Sequence, residues 1–264
     1  MREMSAENIV LQGKQIEKVY GQGGQKNRVL EEVDIEIYEG DFTMIMGASG
    51  AGKSTLLYCL SGMDAVSSGE VFYRGEDISR YKEKQMAALR AGEFGFVFQQ
   101  TQLVSNLTLY ENVAVAGYAA VAHGMGKKKD RRKIGQRAEE LLARMHAENA
   151  RDRLPSQVSG GEAQRAAIAR AVINEPGVLF ADEPTGALNR ANSEEVLRLM
   201  TELNEEGQSI VMVTHDIRAA VRGTRILYME DGKILDERRL SVYREEEARA
   251  REEKIQRWLS ALQW

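Results

Sequence analysis

The chain is short of the residues that would mark several function classes. It holds one cysteine, Cys59, so no internal disulfide can form. A lone cysteine in an apolar helical pattern reads as a small buried hydrophobe rather than a reactive thiol. No run approaches the roughly 18 apolar residues that would cross a bilayer. The best candidate, Val113 to Ala122, is short, alanine-rich and broken by Gly117. The N-terminal stretch Met1 to Gly13 mixes charges with short apolar pieces and lacks the layout of a signal peptide. An excess of one charge sign is missing too: 36 basic against 40 acidic residues leave a net charge of −4, with no nucleic-acid footprint. One basic cluster, Lys127 to Lys129 with Arg131 to Lys133, reads as a solvated helix start. The expectation is a soluble chain that meets any membrane through a partner.

What is present suits a sizeable core. At 264 residues, 43% hydrophobic and 29% charged, the chain fits one large domain or a domain with an inserted lobe. Ile9 to Val19 and Val29 to Tyr38 alternate as strands, and Phe42 to Met46 is a short apolar run ending at a glycine-rich turn. An apolar helix pattern follows from Ser54 to Leu60, then strands at Glu70 to Tyr73 and Phe94 to Phe98. From about residue 101 to 175 the character is helical, with Ile134, Ala138, Leu141, Leu142 and Met145 at helical spacing and a second helix from about Gly161 to Asn174. Val178 to Ala181 and Ile210 to Val213 are continuous apolar runs, the signature of strands buried on both faces, with a helix over Ser193 to Glu205 between them. Ile226 to Met229 and Lys233 to Leu235 flank Glu230-Asp231-Gly232, a hairpin signal.

Gly47-Ala48-Ser49-Gly50-Ala51-Gly52-Lys53-Ser54 fits the phosphate-loop pattern G-x-x-x-x-G-K-S/T at every position, with Thr55 next. Glycines let backbone N–H groups curl around phosphate oxygens, and the helix start adds its positive end to the same anion. Lys53 is expected to reach the β- and γ-phosphates and Ser54 to ligate Mg²⁺. The competing reading for this loop alone is a chance glycine-rich turn. Val178 to Ala181 then ends in Asp182 and Glu183, which place one carboxylate for the metal and one for the attacking water. An acidic turn after a buried strand is common, yet the two motifs in this order favour a P-loop nucleoside triphosphatase.

Further residues carry a resemblance. Val158-Ser159-Gly160-Gly161-Glu162 opens a helix carrying Gln164 and Arg165, and resembles the LSGGQ signature of the ABC ATPases. Phe96-Val97-Phe98-Gln99 is similar to their Q-loop, with Gln100 leaving the register open by one residue. Thr214-His215-Asp216 resembles the switch region, Tyr20 the aromatic that stacks on adenine, and Pro184 to Asn189 the D-loop. The resemblance covers about residues 9 to 236. It implies an α/β fold: a P-loop core with a mostly parallel sheet, an N-terminal antiparallel β subdomain and an inserted helical subdomain. The domain would run over 1–240, with the helical part at about 101–175, and a charged helical tail would follow at 241–264.

The resemblance also implies roles. ATP would be held by Tyr20 and residues Gly47 to Thr55. It would be capped in trans by Ser159, Gly160, Gly161 and Glu162 of a second copy in a head-to-tail dimer. Glu183, His215, Gln99 and Lys53 would be catalytic, and Ser54, Gln99 and Asp182 would hold Mg²⁺. Two positions depart from the family pattern: Glu162 replaces the usual Gln, and Asn189 replaces the usual Asp, which bears on turnover and inter-site coupling. The stretches Met46 to Leu57, Gly62-Met63-Asp64 and Phe96 to Gln99 resemble the macrolide-export and lipoprotein-release type, and within it Leu107 to Val113 and Thr185 to Asn189 suit the antimicrobial-peptide (bacitracin-type) resistance transporters. That branch implies a permease chain, a place at the cytoplasmic face of a bacterial membrane, and a sensor kinase reached through the permease. Mechanotransmission without transport, and a soluble ABC ATPase outside transport, are the alternatives. In the tail, Ile255, Trp258, Leu259 and Leu262 form a stripe that either packs on its own domain or contacts a partner.

Overall fold

The structure, a computed structural model, describes residues 8–21, 26–124, 131–262 and 264. The cluster Lys127 to Lys129 and the start of the N-terminal stretch lie outside the described residues. From the N-terminus come strands β1 (Ile9–Tyr20), β2 (Asn27–Tyr38) and β3 (Phe42–Met46), helix α1 (Lys53–Leu60), and strands β4 (Ser68–Tyr73) and β5 (Glu76–Asp77). Next are α2 (Glu83–Gly92), β6 (Phe94–Phe98), α3 (Leu109–Ala122), α4 (Arg131–Arg144), α5 (Gly160–Val172), β7 (Val178–Asp182) and α6 (Arg190–Glu205). The chain closes with β8 (Ser209–Val213), α7 (Ile217–Ala220), β9 (Arg225–Glu230), β10 (Lys233–Arg239) and α8 (Ala248–Ala261). Two compact units result, one built from the segments up to Tyr81 and from Asn204 onward, the other from Lys82 to Leu203.

The first unit contains two sheets. β2, β1, β4 and β5 pair antiparallel in that order, as expected for the N-terminal β part. β3 lies parallel between β9 and β8, and β10 runs antiparallel along β9. Every residue of β3 and β8 is buried, which is why both read as unbroken apolar runs. α1 packs against β1, β2 and β8 through Leu56, Leu57, Cys59 and Leu60. Burial pushes the Cys59 thiol up to about 12, so it behaves as the apolar filler its surroundings suggest.

The tail belongs to this unit. α8 buries Ile255, Trp258 and Leu259, and the Trp258 indole N–H donates to Asp236 Oδ2 at 2.8 Å. Arg251, only 5% exposed, donates to Val221 O, Gly223 O and Ser241 O at 2.7–2.8 Å. Three of the four stripe residues are therefore spent on the chain itself, and Leu262 is half-buried. Trp264 stays 39% exposed.

In the second unit β6 and β7 pair parallel, and α3, α4 and α5 pack on one another with α2 and α5 against β6. Thr108 caps α3 in a box with Glu111, and Asn112, fully buried, bonds Val104 and Leu107 backbone. Sequence periodicity does not mark α2: it buries only Met86, Leu89 and Gly92, too thin a stripe to stand out. His146 pairs with Glu195 at 2.7 Å and His123 ends α3, both exposed, as expected for histidines outside the motifs. Among the described residues, no helix is long and apolar enough to cross a membrane.

Candidate active site

In the first unit the glycine-rich loop leaves β3 at Gly47. A Cβ there would meet Met229 O at 2.0 Å, so only a hydrogen fits. Ala48, Ser49 and Gly50 stand exposed at the crest, and Ala51 N donates to Ala48 O at 3.2 Å. α1 then begins after Gly52 without a side-chain cap and without an acidic residue in its first turn. Its positive end thus faces the loop with no local carboxylate to offset it. Lys53, 8% exposed, reaches back so that Nζ donates to Gly47 O at 2.9 Å and to Ala48 O at 2.7 Å. The β9–β10 turn braces the loop: Gly232 N donates to Ala51 O, and Glu31 N to Gly232 O, each at 3.1 Å.

The same unit carries His215 and Tyr20. Thr214 N donates to Ile45 O at 3.2 Å, so exposed His215 follows directly on β8 where it runs beside the end of β3. Asp216 caps α7 by accepting from Arg218 N at 2.9 Å. Burial would raise the Asp216 carboxyl, but the Arg218 hydrogen bonds and charge bring it below the usual range. Tyr20, 42% exposed, donates its hydroxyl to Asp64 Oδ2 at 2.6 Å. Lys18 Nζ lies 4.9 Å from the Tyr20 ring centroid and donates to Asp64 Oδ1 and Ala65 O. Burial, then the Asp64 bond, push the Tyr20 hydroxyl up to about 12, so it stays a donor. Lys18 and Asp64 escape a reading by motif, although both lie in stretches that the sequence marks.

In the second unit the parallel register sets Phe98 opposite Asp182, so Gln99 and Glu183 leave neighbouring strand ends together. Glu183 takes a left-handed backbone, φ 47°, and Gly186 N donates to Glu183 O at 3.0 Å to close the turn. The Gln99 side chain lies against Gly186, where an added Cβ would come 2.9 Å from its Nε2. Ser159 caps α5 in a reciprocal box with Glu162: Ser159 N and Oγ donate to Glu162 Oε2 at 2.8 and 2.7 Å, and Glu162 N donates to Ser159 Oγ at 3.3 Å. These bonds, the Ser159 hydroxyl first, hold the Glu162 carboxyl below its ordinary range. The serine's partner is thus a carboxylate of its own helix, which the motif does not foretell. Asn189, the other departure, accepts from Asn192 N at 3.0 Å and starts α6.

By donor chemistry alone, the Ser54 hydroxyl in the first unit and, in the second, the Asp182 carboxylate and the Gln99 carboxamide are each oxygen ligands of the kind Mg²⁺ takes beside phosphate and water. Among the described residues no cluster of three or more His, Cys, Asp or Glu could hold a metal by itself.

An uncapped helix start behind a glycine loop on a buried parallel strand, with a lysine folded across that loop, defines a P-loop nucleotide-binding protein. The ABC transporter family profile matches residues 30–186. The macrolide export ATP-binding/permease protein MacB of Pasteurella multocida is 42% identical over 84% of this chain and 33% of its own length. The chain thus spans about a third of the MacB proteins it matches. YknY of Bacillus subtilis, an ABC transporter ATP-binding protein, is 40% identical over 86% of this chain and 95% of its own length. The dimeric post-hydrolysis cassette MJ0796, bound to ADP and Pi, superimposes with a TM-score of 0.80 at 35% identity, over 88% of this chain and all of that one. The chain belongs to the ABC transporter family, as an ATP-binding and ATP-hydrolysing cassette.

Proposed function

We propose that the chain is the ATP-driven motor of a macrolide-export-type transporter, working as a head-to-tail pair of copies on a separate permease at the cytoplasmic face of the membrane. The observation that carries this reading is the phosphate loop itself, with Lys53 Nζ on Gly47 O and Ala48 O above an uncapped helix start. The dimeric MJ0796 cassette supports the pairing, and the MacB relatives, which join cassette and permease in one protein, support the permease. The match along 95% of YknY, an ABC transporter ATP-binding protein, supports the motor role.

ATP lies with its adenine on Tyr20 and its phosphates on the N–H groups from Gly47 to Thr55. Lys53 neutralises the β- and γ-phosphates. Glu183 orients a water and takes its proton as the water oxygen bonds to the γ-phosphorus, while the bond from that phosphorus to the β–γ bridging oxygen breaks and ADP leaves with the electron pair. His215 and Gln99 hold the γ-phosphate and the water in line, and Ser159 with Gly160 and Gly161 of the second copy caps the phosphate. Ser54, Gln99 and Asp182 would hold Mg²⁺, which would supply Lewis-acid charge neutralisation. Glu162 sits at the rim of the same cap through its box with Ser159.

Glu183→Gln is expected to slow hydrolysis by about 10²-fold or more and to elute from a sizing column with ATP as a dimer. Elution as monomer only would overturn the sandwich. The cargo class we assign is antimicrobial peptide, on the stretches Leu107 to Val113 and Thr185 to Asn189. Co-expression with the permease is expected to raise bacitracin tolerance of a sensitive strain; tolerance to macrolides alone would replace that cargo.

A further inference from the structure

α5 buries an almost wholly apolar face: Ala163, Ala166, Ala167, Ile168 and Ala169 are all inside. Gln164 sits among them, 1% exposed. Burying a carboxamide is costly unless its hydrogens are taken up, and a methionine or leucine would fill the same volume without that cost. Both bonds of its Nε2 go to backbone carbonyls, Phe98 O at 2.9 Å and Pro184 O at 2.8 Å.

Those two carbonyls are not arbitrary. Phe98 O belongs to the peptide unit that leads into Gln99, and Pro184 O to the turn opened by Glu183. Glu183 has a left-handed backbone, which a non-glycine residue keeps only where its surroundings over-determine it. The bond from Gly186 N to Glu183 O is one restraint and the bond from Gln164 to Pro184 O is another. A single side chain therefore clamps the two strand ends from which Gln99 and Glu183 emerge. It does so from the helix whose first residue follows Ser159.

We propose that Gln164 is a positioning residue for hydrolysis: it fixes the exit geometry of Gln99 and Glu183 and ties both to the helix that presents the serine cap. This rests on the roles given to Gln99 and Glu183 under Proposed function. Gln164 touches no reacting atom; it acts through backbone. Misplacement of a catalytic group by about 1 Å can cost on the order of 10²-fold in rate, whereas the phosphate loop that binds the nucleotide contains no atom that Gln164 bonds.

The test uses the full chain with Gln164→Met, which keeps volume and loses both donors, and Gln164→Glu, which keeps length and replaces the donors with acceptors. Steady-state hydrolysis gives kcat and KM for ATP, thermal melting reports folding, and Glu183→Gln runs in parallel. Expected is a kcat at least about tenfold lower in both variants with KM within about twofold, the pattern of an interaction realised in the transition state. A folded Gln164→Met with wild-type kcat overturns the positioning role. So does a fall in melting temperature with a rise in KM in both variants, which marks a residue that only keeps α5 folded. Wild-type hydrolysis by Glu183→Gln would instead overturn the assignment of Glu183, and leaves a separate signature from either outcome.

Discussion

Asp64 accepts from Lys18 and Tyr20 at once and so fixes the pitch of an aromatic ring that is otherwise half in solvent. Its own titration follows from that geometry. Burial alone would raise the carboxyl, but the bonds from Lys18 and Tyr20 and the lysine charge bring it below the usual carboxylate range. Replacing it by Asn leaves Lys18 without its counter-charge and frees the ring. On the stacking role proposed for Tyr20, Asp64→Asn is expected to weaken ATP binding about two- to tenfold, the worth of one aromatic contact of roughly 0.5–1.5 kcal/mol. Inorganic tripolyphosphate, which has no base to stack, should bind unchanged. Calorimetric titration with both ligands checks this, and equal losses for the two would place the defect in the phosphate loop. Ser159 is a second residue with two duties. As the cap of α5 it satisfies Glu162 N, so Ser159→Ala should cost about 1 kcal/mol in urea unfolding apart from any effect on hydrolysis.

At the scale of elements, the β9–β10 hairpin shows how a turn far along the chain serves the loop near its start. Asp231 and Gly232 both have positive φ, 45° and 79°, the pair a two-residue turn of this hand requires. A Cβ on Gly232 would meet Val29 O at 2.5 Å, while Gly232 N holds Ala51 O of the phosphate loop. Gly232→Ala is accordingly expected to lower stability by about 1–3 kcal/mol and to weaken ATP binding together with it, measured by denaturant melts with and without nucleotide.

Element for element, much of this was legible beforehand. Phe42 to Met46 and Ile210 to Val213 are unbroken apolar runs because both strand faces are covered, and Glu230-Asp231-Gly232 announces its turn. The glycine loop is legible because phosphate recognition by backbone needs glycine at set places. Other features have no such trace. α2 buries only Met86, Leu89 and Gly92; the bent backbone at Glu183 is carried by a residue type that gives no hint of it; and Gln164 interrupts an apolar face in a way that periodicity alone counts as noise. The clamp depends on carbonyls 66 and 20 residues away, a relation that only the folded chain displays.

Across the described residues, the carboxylates with shifted titration move one way. Asp64, Glu162, Glu195, Asp216 and Glu237 all lie below their ordinary range, each through hydrogen bonds or charges from neighbours that outweigh burial where burial opposes them. A folded-state value below the unfolded one adds stability above the unfolded pKa, which is lost as pH falls through the folded value. The unfolded values lie near 3.9–4.3. The urea midpoint is therefore expected to hold steady from pH 8 to about 6 and to drop below about pH 4; since most of these groups are partly solvated, each contributes little. A midpoint that rose on acidification would contradict this.

One consequence of the docked tail is optical. The chain has two tryptophans, Trp258 and Trp264, and both lie in or beside α8. Trp258 is held 7% exposed with its indole on Asp236, whereas Trp264 is 39% exposed. Light absorbed at the red edge of the protein band is thus re-emitted from one end of the chain alone. A colour change in that emission reports the lifting of the last helix from its bed, and the remainder of the protein is dark to it.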